Sequence, residues 1–398
     1  MPKKSVTDFP DDFYRGKTIL LRVDFNVPLK DGKVDDDYRI RSSLPTLNYL
    51  ASREAKLVVA SHLGRPEGKR NPDMSLKPVA ERLQSLLPDR QVKWIDECVG
   101  RDVEKAVKEL KNGNILLLEN LRFHAEEERN DEEFSKSLAS LAEVFVNDAF
   151  ATSHRKHAST YGAPALLQYR LAGLQVQKEL EYLTKIRDRP DKPFVLVAGG
   201  LKIRDKIEAL KTLIEKADKV LVGGCLAYTF LASKGISVGD SLVEDDFVEW
   251  AGKILAEGSK IILPEDHLVA PNIDATNQVQ LVRGEIPSGM RGFDIGPSTL
   301  QTYTSIISSG GGTVFWNGPM GAFEFREFSH GTIGVALAIA LAHFRGATTV
   351  VGGGETASAL GKAKVRESEV SHISTGGGAS LEYIGGKTLP GIDVLSEK

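Results

Sequence analysis

The sequence predicts an α/β protein made of two doubly wound parallel-sheet domains. Ten short runs rich in leucine and β-branched residues recur along the 398-residue chain, and segments with helical periodicity separate most of them. These runs are continuously apolar instead of alternating, which is typical of strands that helices cover on both faces. Ten strands are too many for one comfortable core, so the pattern predicts two Rossmann-like domains.

The predicted elements follow the chain in a regular strand and helix order. The predicted strands are TILLRV, KLVVAS, NILLLE, EVFVND, FVLVAG, KVLVGG, KIILPE, TVFWNG, TTVVGG and SHISTG. Helical periodicity is clear over residues 76–87, 131–141 and 206–214. A longer charged helix is predicted over residues 175–189, because it is amphipathic and ends at Pro190. We predict that this helix connects the two halves: residues 1–170, a connector over 171–189, and residues 190–380.

Composition limits the classes of partner. A net charge of -3, from 51 basic and 54 acidic side chains, gives no overall field that attracts nucleic acid or an anionic membrane. No apolar stretch is long enough to span a bilayer, and the N-terminus lacks the apolar segment of a signal peptide. Cys98 and Cys225 lie far apart and outside any CxxC pair, so the sequence gives no sign of a disulfide or a zinc site. These features favour a soluble cytoplasmic protein.

In the first half, polar and basic residues follow the predicted strands. Ligands of open α/β sheets bind beyond the carboxyl ends of the strands. Arginine binds carboxylate and phosphate in a bidentate manner, so converging arginines favour a small ligand with several negative charges. A solvated surface charge is the better explanation for any one of them, but four strand ends share the pattern. The residues are Asp24, Asn26, Arg39, His62, Arg65, Arg122 and Arg155.

In the second half, glycine follows the predicted strands. Bare N–H groups at helix N-termini bind phosphates, and flat glycine surfaces let an adenine ring approach. Tight strand-to-helix turns are a strong alternative at any single site. Lys202 and Lys206, four residues apart, would lie on one face of the helix predicted after AGGLK. The glycine-bearing strand ends contain Gly200, Gly223, Gly224, Gly352, Gly353, Gly354, Gly376 and Gly377.

Two anion-binding halves favour phosphoryl transfer, in which positioning and charge neutralisation contribute most of the catalysis. The chain has no GxGxxG, no complete P-loop and no HRD or DFG sequence, and HExxH and GxSxG are absent as well. No general base is evident, which fits an acceptor that is already a carboxylate anion. Asp24 or a histidine remains an alternative base.

The ordered strings RVDFNVP, SHLGRP, ENLRFH, NDAFATSHRKH, WNGPMGAFE and STGGGAS resemble the phosphoglycerate kinase family over practically the whole chain. The resemblance implies reversible transfer of the acyl phosphate of 1,3-bisphosphoglycerate to ADP, giving ATP and 3-phosphoglycerate. It also implies a monomeric enzyme that closes at a hinge, with the C-terminal segment, residues 381–398, returning to the N-terminal domain.

The resemblance also implies residue roles. Arg39 would reach the transferring group, Lys202 would follow the phosphoryl group, and the Gly376 and Gly377 amides would stabilise its charge. The expected 3-phosphoglycerate ligands are Asp24, Asn26, Arg39, His62, Leu63, Gly64, Arg65, Arg122 and Arg155. The expected nucleotide residues are Gly200, Lys202, Lys206, Gly223, Gly224, Gly292, Asn317, Glu324, Gly352, Gly353, Gly354 and Glu355.

Three positions depart from the family pattern. Leu201 replaces an alanine, and Cys225 stands where a glycine or alanine is usual. Glu355 replaces the aspartate that lies near the Mg²⁺ of the nucleotide. The longer glutamate can still hold Mg²⁺ directly or through water.

Two other classes of protein stay open at this point. A dinucleotide-dependent dehydrogenase would explain the α/β pattern and the glycines, although GxGxxG is absent. A non-catalytic nucleotide-binding protein would be expected if Lys202 or Arg39 were replaced, and neither is.

Overall fold

The computed structural model describes residues 2–202, 204, 206–258 and 260–398. The chain divides into two compact units. Unit 1 contains the residues up to Glu181 together with Thr388–Lys398, and unit 2 contains Tyr182–Lys387. The segment that we predicted to return to the N-terminal domain, residues 381–398, is therefore divided, because its first seven residues belong to unit 2.

Unit 1 is built on six parallel strands. Their order across the sheet is β5-β6-β4-β1-β7-β8, and β2 pairs with β3 in a separate antiparallel hairpin. The strands are β1 (Thr18–Val23), β2 (Leu29–Lys30), β3 (Lys33–Val34), β4 (Lys56–Ala60), β5 (Val92–Trp94), β6 (Ile115–Leu117), β7 (Val144–Asp148) and β8 (Tyr169–Ala172). The parallel pairing confirms the prediction from continuous apolar runs, since every residue of β6 and β7 is buried.

Helices cover the unit 1 sheet. The helix predicted over 76–87 is α2 and the one predicted over 131–141 is α5, each shorter by one or two residues at each end. The helices are α1 (Tyr38–Ser52), α2 (Lys77–Leu86), α3 (Arg101–Lys108), α4 (Ala125–Arg129), α5 (Glu132–Ala139), α6 (Ala163–Ala165) and α7 (Leu174–Asp188). The last of them, α7, corresponds to the predicted connector and crosses the boundary between the units at residues 181 and 182.

Unit 2 contains a second parallel sheet of six strands, in the order β11-β10-β9-β15-β16-β17. Counted within this sheet, the order is 3-2-1-4-5-6, that of a doubly wound nucleotide-binding sheet. The strands of unit 2 are β9 (Phe194–Ala198), β10 (Lys219–Val222), β11 (Ile261–Ile262), β12 (Asp266–Ala270), β13 (Gln280–Arg283), β14 (Arg291–Ile295), β15 (Thr313–Asn317), β16 (Thr348–Gly352) and β17 (His372–Ser374). The predicted fold class is confirmed.

A small antiparallel sheet in unit 2 was not predicted. Its order is β13-β12-β14. Strand β13 is mostly exposed and carries polar and charged residues, so it lacks the continuous apolar run on which the prediction depended.

The helices of unit 2 surround the parallel sheet. They are α8 (Ile207–Lys216), α9 (Gly224–Ser233), α10 (Val248–Ala256), α11 (Pro297–Ile307), α12 (His330–Phe344), α13 (Gly354–Lys362) and α14 (Gly378–Ile384). Among the described residues, no helix is both long and apolar enough to cross a bilayer.

The prediction that Lys202 and Lys206 share one helix face is wrong. Helix α8 begins at Ile207, so Lys206 is its N-cap and Lys202 lies before it. The buried side chains of α8 begin at Ala209, whereas Leu201 and Lys202 are exposed. Helices in proteins are stabilised mainly by a packed apolar face, and the exposed Leu201 and Lys202 add nothing to such a face.

The last residues of the chain pack on unit 1. A short helix, α15 (Pro390–Asp393), follows Thr388. The Gly391 N–H donates to the Ser153 carbonyl, and Asn147 Nδ2 donates to the Gly391 carbonyl, both at 2.8 Å. The Ser396 N–H donates to the Arg170 carbonyl, also at 2.8 Å. Backbone bonds therefore fix the C-terminus beside β7 and β8.

Candidate active site

The predicted acidic and basic residues of unit 1 gather at the carboxyl edge of its sheet. Strand β1 is central, with β4 on one side and β7 on the other, so the strand order reverses at β1 and creates a crevice there. Asp24 follows β1 and His62 follows β4. Asp24 Oδ2 accepts a hydrogen bond from Arg39 Nη1 at 2.5 Å, and Asp24 Oδ1 lies 3.9 Å from His62 Nδ1. Three of the predicted ligands therefore meet.

The loop after β4 joins the same crevice. The Gly64 N–H donates to Asn26 Oδ1 at 2.9 Å, and the Gly64 carbonyl accepts from Arg122 Nη1 at 2.8 Å. Gly64 has φ +65°, and a Cβ there would lie 2.8 Å from the Met74 sulfur. Leu63 is buried, whereas Arg65 is exposed. The loop is held by predicted site residues and leaves one arginine available to a ligand.

The electrostatic field of the crevice is strongly positive. Burial lowers the pKa of His62 well below its usual value, and four arginines, Arg22, Arg122, Arg39 and Arg155, lower it further. Burial followed by Arg122, Arg22 and Arg155 lowers the pKa of His157 to about 4. The guanidinium groups thus converge, and both imidazoles stay neutral at pH 7. A multiply charged anion would relieve the repulsion among the arginines.

A buried network behind the crevice was not predicted. Arg22 Nε donates to Ser159 Oγ at 2.9 Å, and Ser159 Oγ donates to Glu127 Oε1 at 2.6 Å. Burial raises the pKa of Glu127, and Arg22 opposes that shift. Arg22 also approaches His62, with 3.2 Å between Nη2 and Nδ1. Arg22 belongs to RVDFN at the end of the first predicted strand and is one of the basic strand-end residues expected from the sequence. Glu127 showed no signal, because it lies in a run of acidic residues.

Unit 2 contains a cavity of about 710 Å³. It lies by the loops after β9 and β15, where the strand order reverses. The Gly199 N–H donates to the Asn317 carbonyl at 3.0 Å, and the Gly200 N–H donates to the Pro319 carbonyl at 2.9 Å. The volume is within the range of small-molecule sites. Five predicted nucleotide residues line it: Gly200, Gly224, Gly292, Glu324 and Glu355.

The turns at this cavity pack backbone against backbone. Gly224 has φ +60°, and a Cβ there would lie 2.6 Å from the Gly200 nitrogen. Lys206 Nζ donates to the Gly199 carbonyl at 3.0 Å, so its ammonium lies on the glycine turn. Lys202 is exposed, close to that turn in sequence. Gly223 adjoins the cavity through Gly224.

Asn317 lies at the end of β15, and the three predicted glycines lie between the end of β16 and the start of α13. Asn317 is buried, and its Nδ2 donates to the Gly352 carbonyl at 2.8 Å, so it joins the ends of β15 and β16. Gly353 is the N-cap of α13 and Gly354 is its first residue. Glu355, in the first turn of α13, is exposed and faces the cavity.

The predicted cradle for the phosphoryl group is the turn between β17 and α14. Gly377 has φ +53° and caps α14. The Gly376 N–H donates to Ser374 Oγ at 3.3 Å, a long bond that leaves this amide weakly held.

Lys362 Nζ donates to the Glu324 carbonyl at 3.0 Å, which fixes the loop carrying Glu324.

Most of the other residues that line the cavity were not predicted from the sequence. A Cβ on Gly292 would lie 2.1 Å from Tyr228 Oη, so the tyrosine directly supports that glycine. Leu201 and Cys225, two of the departures from the family pattern, also line the cavity. Tyr228 lies inside an apolar helical run, and the segment 240–243 lies in a loop, so neither showed a periodic or motif signal. The other lining residues are Tyr228, Asp240, Ser241, Leu242, Val243, Asp245, Ile273, Arg291, Phe293, Pro319, Gly321 and Ala322.

Fold and site together define a two-unit α/β protein with an arginine-rich crevice in one unit and a glycine-lined cavity in the other. The sequence profile of the phosphoglycerate kinase family matches residues 8–387. The chain belongs to the phosphoglycerate kinase family. The assignment confirms the predicted enzyme, which transfers the acyl phosphate of 1,3-bisphosphoglycerate to ADP, and removes the dehydrogenase and non-catalytic alternatives.

Individual relatives agree with this assignment. Phosphoglycerate kinase from Anaeromyxobacter dehalogenans (strain 2CP-C) is 51% identical over 392 residues, which cover 96% of this chain and 97% of the relative. The enzyme from Clostridium novyi is 47% identical over 402 residues, covering 100% and 99%. The solved structure of phosphoglycerate kinase from Coxiella burnetii matches with a TM-score of 0.85 at 37% identity, covering 99% of this chain and 98% of that one. The structure from Pyrococcus horikoshii OT3 also gives 0.85, at 34% identity, covering 98% of each.

Proposed function

We propose that the crevice of unit 1 binds 3-phosphoglycerate or 1,3-bisphosphoglycerate and that the cavity of unit 2 binds ADP or ATP. One observation carries this division: in unit 1, Arg22 contacts His62 and Arg39 contacts the neighbouring Asp24, whereas glycine turns line the cavity of unit 2. A small acid with two anionic groups needs side-chain cations close together. A nucleotide needs a larger space with exposed backbone donors for its phosphates.

In unit 1, each proposed ligand has a chemical task. Arg122 and Arg155 neutralise the anionic groups of the substrate, and Arg65 adds a guanidinium from the solvent side. His62, kept neutral by burial and by the arginines, donates or accepts a hydrogen bond without adding charge. Asp24 balances Arg39 at 2.5 Å until substrate arrives. Asn26, Leu63 and Gly64 shape the loop that closes one side of the crevice.

In unit 2, backbone and lysine groups receive the nucleotide. Lys206 lies on the first glycine turn, where it can neutralise a nucleotide phosphate. Lys202 is exposed, so its ammonium can follow the transferring phosphoryl group. The amides of Gly376 and Gly377 donate to the developing charge. The other proposed nucleotide positions are Gly200, Gly223, Gly224, Gly292, Asn317, Glu324, Gly352, Gly353 and Gly354.

We propose that Glu355 holds the Mg²⁺ that accompanies the nucleotide. The residue fits this ion, because its carboxylate is exposed at the cavity and Mg²⁺ usually binds one or two carboxylates together with substrate phosphates. Bound Mg²⁺ supplies charge neutralisation at the phosphates. Glu355 then orients the ion, and the glycines before it leave space for phosphate.

The transfer needs no general base on the protein. The acceptor in the ATP-consuming direction is a carboxylate, which is ionised at neutral pH. Arg39 and Lys202 neutralise charge during the transfer, and a phosphoryl group passing between two oxygens requires little more than alignment and neutralisation. Because the proposed ligands belong to different units, we propose that closure at the α7 hinge brings the two substrates together.

We further propose a cytoplasmic monomer that binds neither nucleic acid nor membranes. The near-neutral overall charge of -3 supports the absence of a polyanionic partner. Size-exclusion chromatography with light scattering tests the oligomeric state, and a dimer mass would contradict the proposal.

A coupled assay with ATP and 3-phosphoglycerate tests the whole assignment, with and without Mg²⁺. We expect turnover that depends on Mg²⁺. Glu355→Gln should raise the Mg²⁺ concentration needed for half-maximal rate, and Glu355→Asp should keep it near the wild-type value. An unchanged Mg²⁺ dependence in Glu355→Gln would reject the metal assignment, and no turnover in the wild-type protein would reject the function.

A further inference from the structure

Three donor atoms of different chemistry meet in unit 1, at residues that have no role in the proposed reaction. They come from Glu97, Cys98 and His124: one carboxylate oxygen, the Sγ atom and one ring nitrogen all lie within 4.8 Å of one another. His124 Nε2 and Glu97 Oε1 are 2.7 Å apart. Glu97 Oε1 also accepts the Cys98 N–H at 2.8 Å. The loop after β5 and the segment after β6 thus bring their donors to one point.

We propose that Glu97, Cys98 and His124 form a binding site for Zn²⁺. A thiolate, an imidazole and a carboxylate are the three side-chain ligands that Zn²⁺ uses. Mg²⁺ and Ca²⁺ prefer oxygen ligands only, so the thiolate selects against them. Within the described part of the chain, no other group of three such donors is as close.

The donor positions suit a tetrahedral ion. Bonds of about 2.3 Å to sulfur and about 2.0–2.2 Å to nitrogen and oxygen place tetrahedral ligands roughly 3.3–3.6 Å apart. The Glu97 and His124 atoms, at 2.7 Å, must separate slightly, and any pair at the 4.8 Å limit must approach by roughly 1.5 Å. When Zn²⁺ binds, the thiol proton is released to solvent, and the hydrogen bond from Cys98 Sγ to the Glu119 carbonyl is lost. The His124 proton that bonds to Glu97 moves from Nε2 to Nδ1 by exchange with water, which frees Nε2 for the ion.

Neighbouring side chains hold two of the three donor residues in position. Arg70 Nη1 donates to Asp96 Oδ1 at 2.5 Å, and its Nη2 lies 3.5 Å from Glu97 Oε2. Arg70 therefore contacts the Glu97 carboxylate through Oε2, and Oε1 becomes available to the ion once the hydrogen bond from His124 Nε2 is broken. Phe134 packs against the His124 ring, with 5.0 Å between ring centroids. Such partners usually fix metal ligands in orientation.

The site is open on one side. The Cys98 residue is 1% exposed, whereas the side chains of Glu97 and His124 are 39% and 27% exposed. An ion can therefore enter past the glutamate and the histidine and reach the thiol from the solvent side. Three protein ligands leave the fourth tetrahedral position for a water molecule.

This site escaped the sequence analysis because its ligands are separated in the chain. Cys98 and His124 are 26 positions apart in the chain, and the only other cysteine, Cys225, belongs to unit 2. The expectation of no zinc site followed from the absence of a CxxC pair. Parallel pairing of β5 with β6 brings the two segments together.

The test uses the full chain, reduced and freed of metal by chelation. Zn²⁺ affinity is measured by calorimetry, and Co²⁺ is then added as a spectroscopic substitute. We expect one Zn²⁺ per chain and an ultraviolet thiolate-to-cobalt absorption band. Cys98→Ser should abolish the band and weaken Zn²⁺ binding by more than the roughly 10- to 100-fold that loss of an outer-shell partner costs. Cys225→Ser is the matched control and should retain both.

Glu97→Gln provides an independent variant that keeps the buried thiol. We expect it to weaken Zn²⁺ by at least about tenfold, with an unchanged circular dichroism spectrum. The proposal is overturned if the cobalt band survives in Cys98→Ser or disappears in Cys225→Ser. It is equally overturned if Glu97→Gln binds Zn²⁺ as tightly as the wild type. This second test does not depend on whether Cys98→Ser folds.

Discussion

The two units carry opposite loop chemistry on the same sheet architecture. Both contain six parallel strands with ligand loops at the carboxyl edge. Unit 1 brings side-chain cations to that edge, and Arg22 and Arg122 are buried there. Unit 2 brings bare backbone instead, with glycines at the ends of its strands. The comparison teaches that the loops, and not the sheet, determine which anion a doubly wound domain accepts.

The two solutions have different electrostatic costs. Burying guanidinium groups is unfavourable, and desolvation lowers the pKa of Arg122 to about 10, although Glu128 opposes the shift. Unit 1 offsets this cost with Glu127, buried behind the crevice, and by keeping His62 and His157 neutral. Unit 2 avoids the cost, because amide dipoles carry no net charge. In exchange, the turns that contain Gly199, Gly224 and Gly318 have no space for a Cβ, which would lie 2.2–2.6 Å from neighbouring backbone atoms.

The largest expected effect comes from Lys202→Ala. Removing a cation that stabilises only the transferring group should lower kcat about 100- to 1,000-fold, as for other single groups of this kind. The coupled assay measures turnover, and calorimetry should show unchanged 3-phosphoglycerate affinity. Lys211→Ala, on the exposed side of α8, is the matched control. Near-normal turnover in Lys202→Ala would remove the proposed role.

Arg155→Ala tests whether the two ligands really belong to different units. Loss of a charge-assisted hydrogen bond costs about 1.5–3 kcal/mol, so 3-phosphoglycerate should bind roughly 10- to 100-fold more weakly. ATP affinity should stay within about twofold of the wild type. Arg129→Ala, at an exposed arginine of α4, serves as the control. Equal losses for both ligands in calorimetry would argue against the division of sites.

Gly292→Ala tests the backbone solution of unit 2. The added methyl would lie 2.1 Å from Tyr228 Oη, and such overpacking typically costs about 1–3 kcal/mol. We expect ADP affinity to fall by about tenfold while 3-phosphoglycerate affinity is retained. Gly361→Ala, where a Cβ meets no atom within 4 Å, is the matched control. The same ADP affinity in both variants would show that Tyr228 moves aside freely.

The last expected effect concerns the pH dependence of the stability of unit 1 and leaves ligand binding aside. Burial raises the pKa of Asp148 to about 7, although hydrogen bonds from Thr46 and the backbone oppose the shift, and its Oδ2 has no hydrogen-bond partner. The unfolded carboxyl has a pKa near 3.9. The folded state therefore binds more protons between about pH 4 and 7, and stability from this group is lost as pH rises through that window.

Asp148→Asn should remove this part of the pH dependence. The amide oxygen can still accept the Gln175 N–H, which lies 2.9 Å from Asp148 Oδ1. Relative to the wild type, the variant should gain up to a few kcal/mol between pH 4 and 8, measured by chemical denaturation at several pH values. Asp131→Asn, at the N-cap of α5, is a carboxyl control. A constant difference between variant and wild type across the range would contradict the raised pKa.

Much of the fold could be predicted because its signals are local. The continuous apolar runs became β1, β4, β7, β9, β15 and β16, and the amphipathic stretch 175–189 became α7. The antiparallel sheet β13-β12-β14 was missed because β13 is short and mostly exposed. The start of α8 was placed too early, because periodicity does not reveal where a helix loses its packing partner.

The candidate site, like the fold, was predicted where its sequence signals are local and missed where they are not. Residues at strand ends, such as Asp24 and His62, were placed correctly in the crevice because parallel strands share one carboxyl edge. Glu127 and Tyr228 were missed, since each supports the site from a segment whose own sequence resembles an ordinary helix. Their roles depend on the residues that they support: Glu127 supports Arg22 through Ser159, and Tyr228 supports Gly292.

By itself, the sequence determined the α/β class, the parallel sheets and the family, because apolar periodicity and ordered motifs lie along the chain. Only the tertiary structure decided which side chains meet. Buried charges such as Arg22 and Glu127 are stable only when folding joins them through Ser159 and satisfies their hydrogen bonds. Glu97, Cys98 and His124 meet for the same reason: strand pairing sets distances in space that spacing along the chain does not encode.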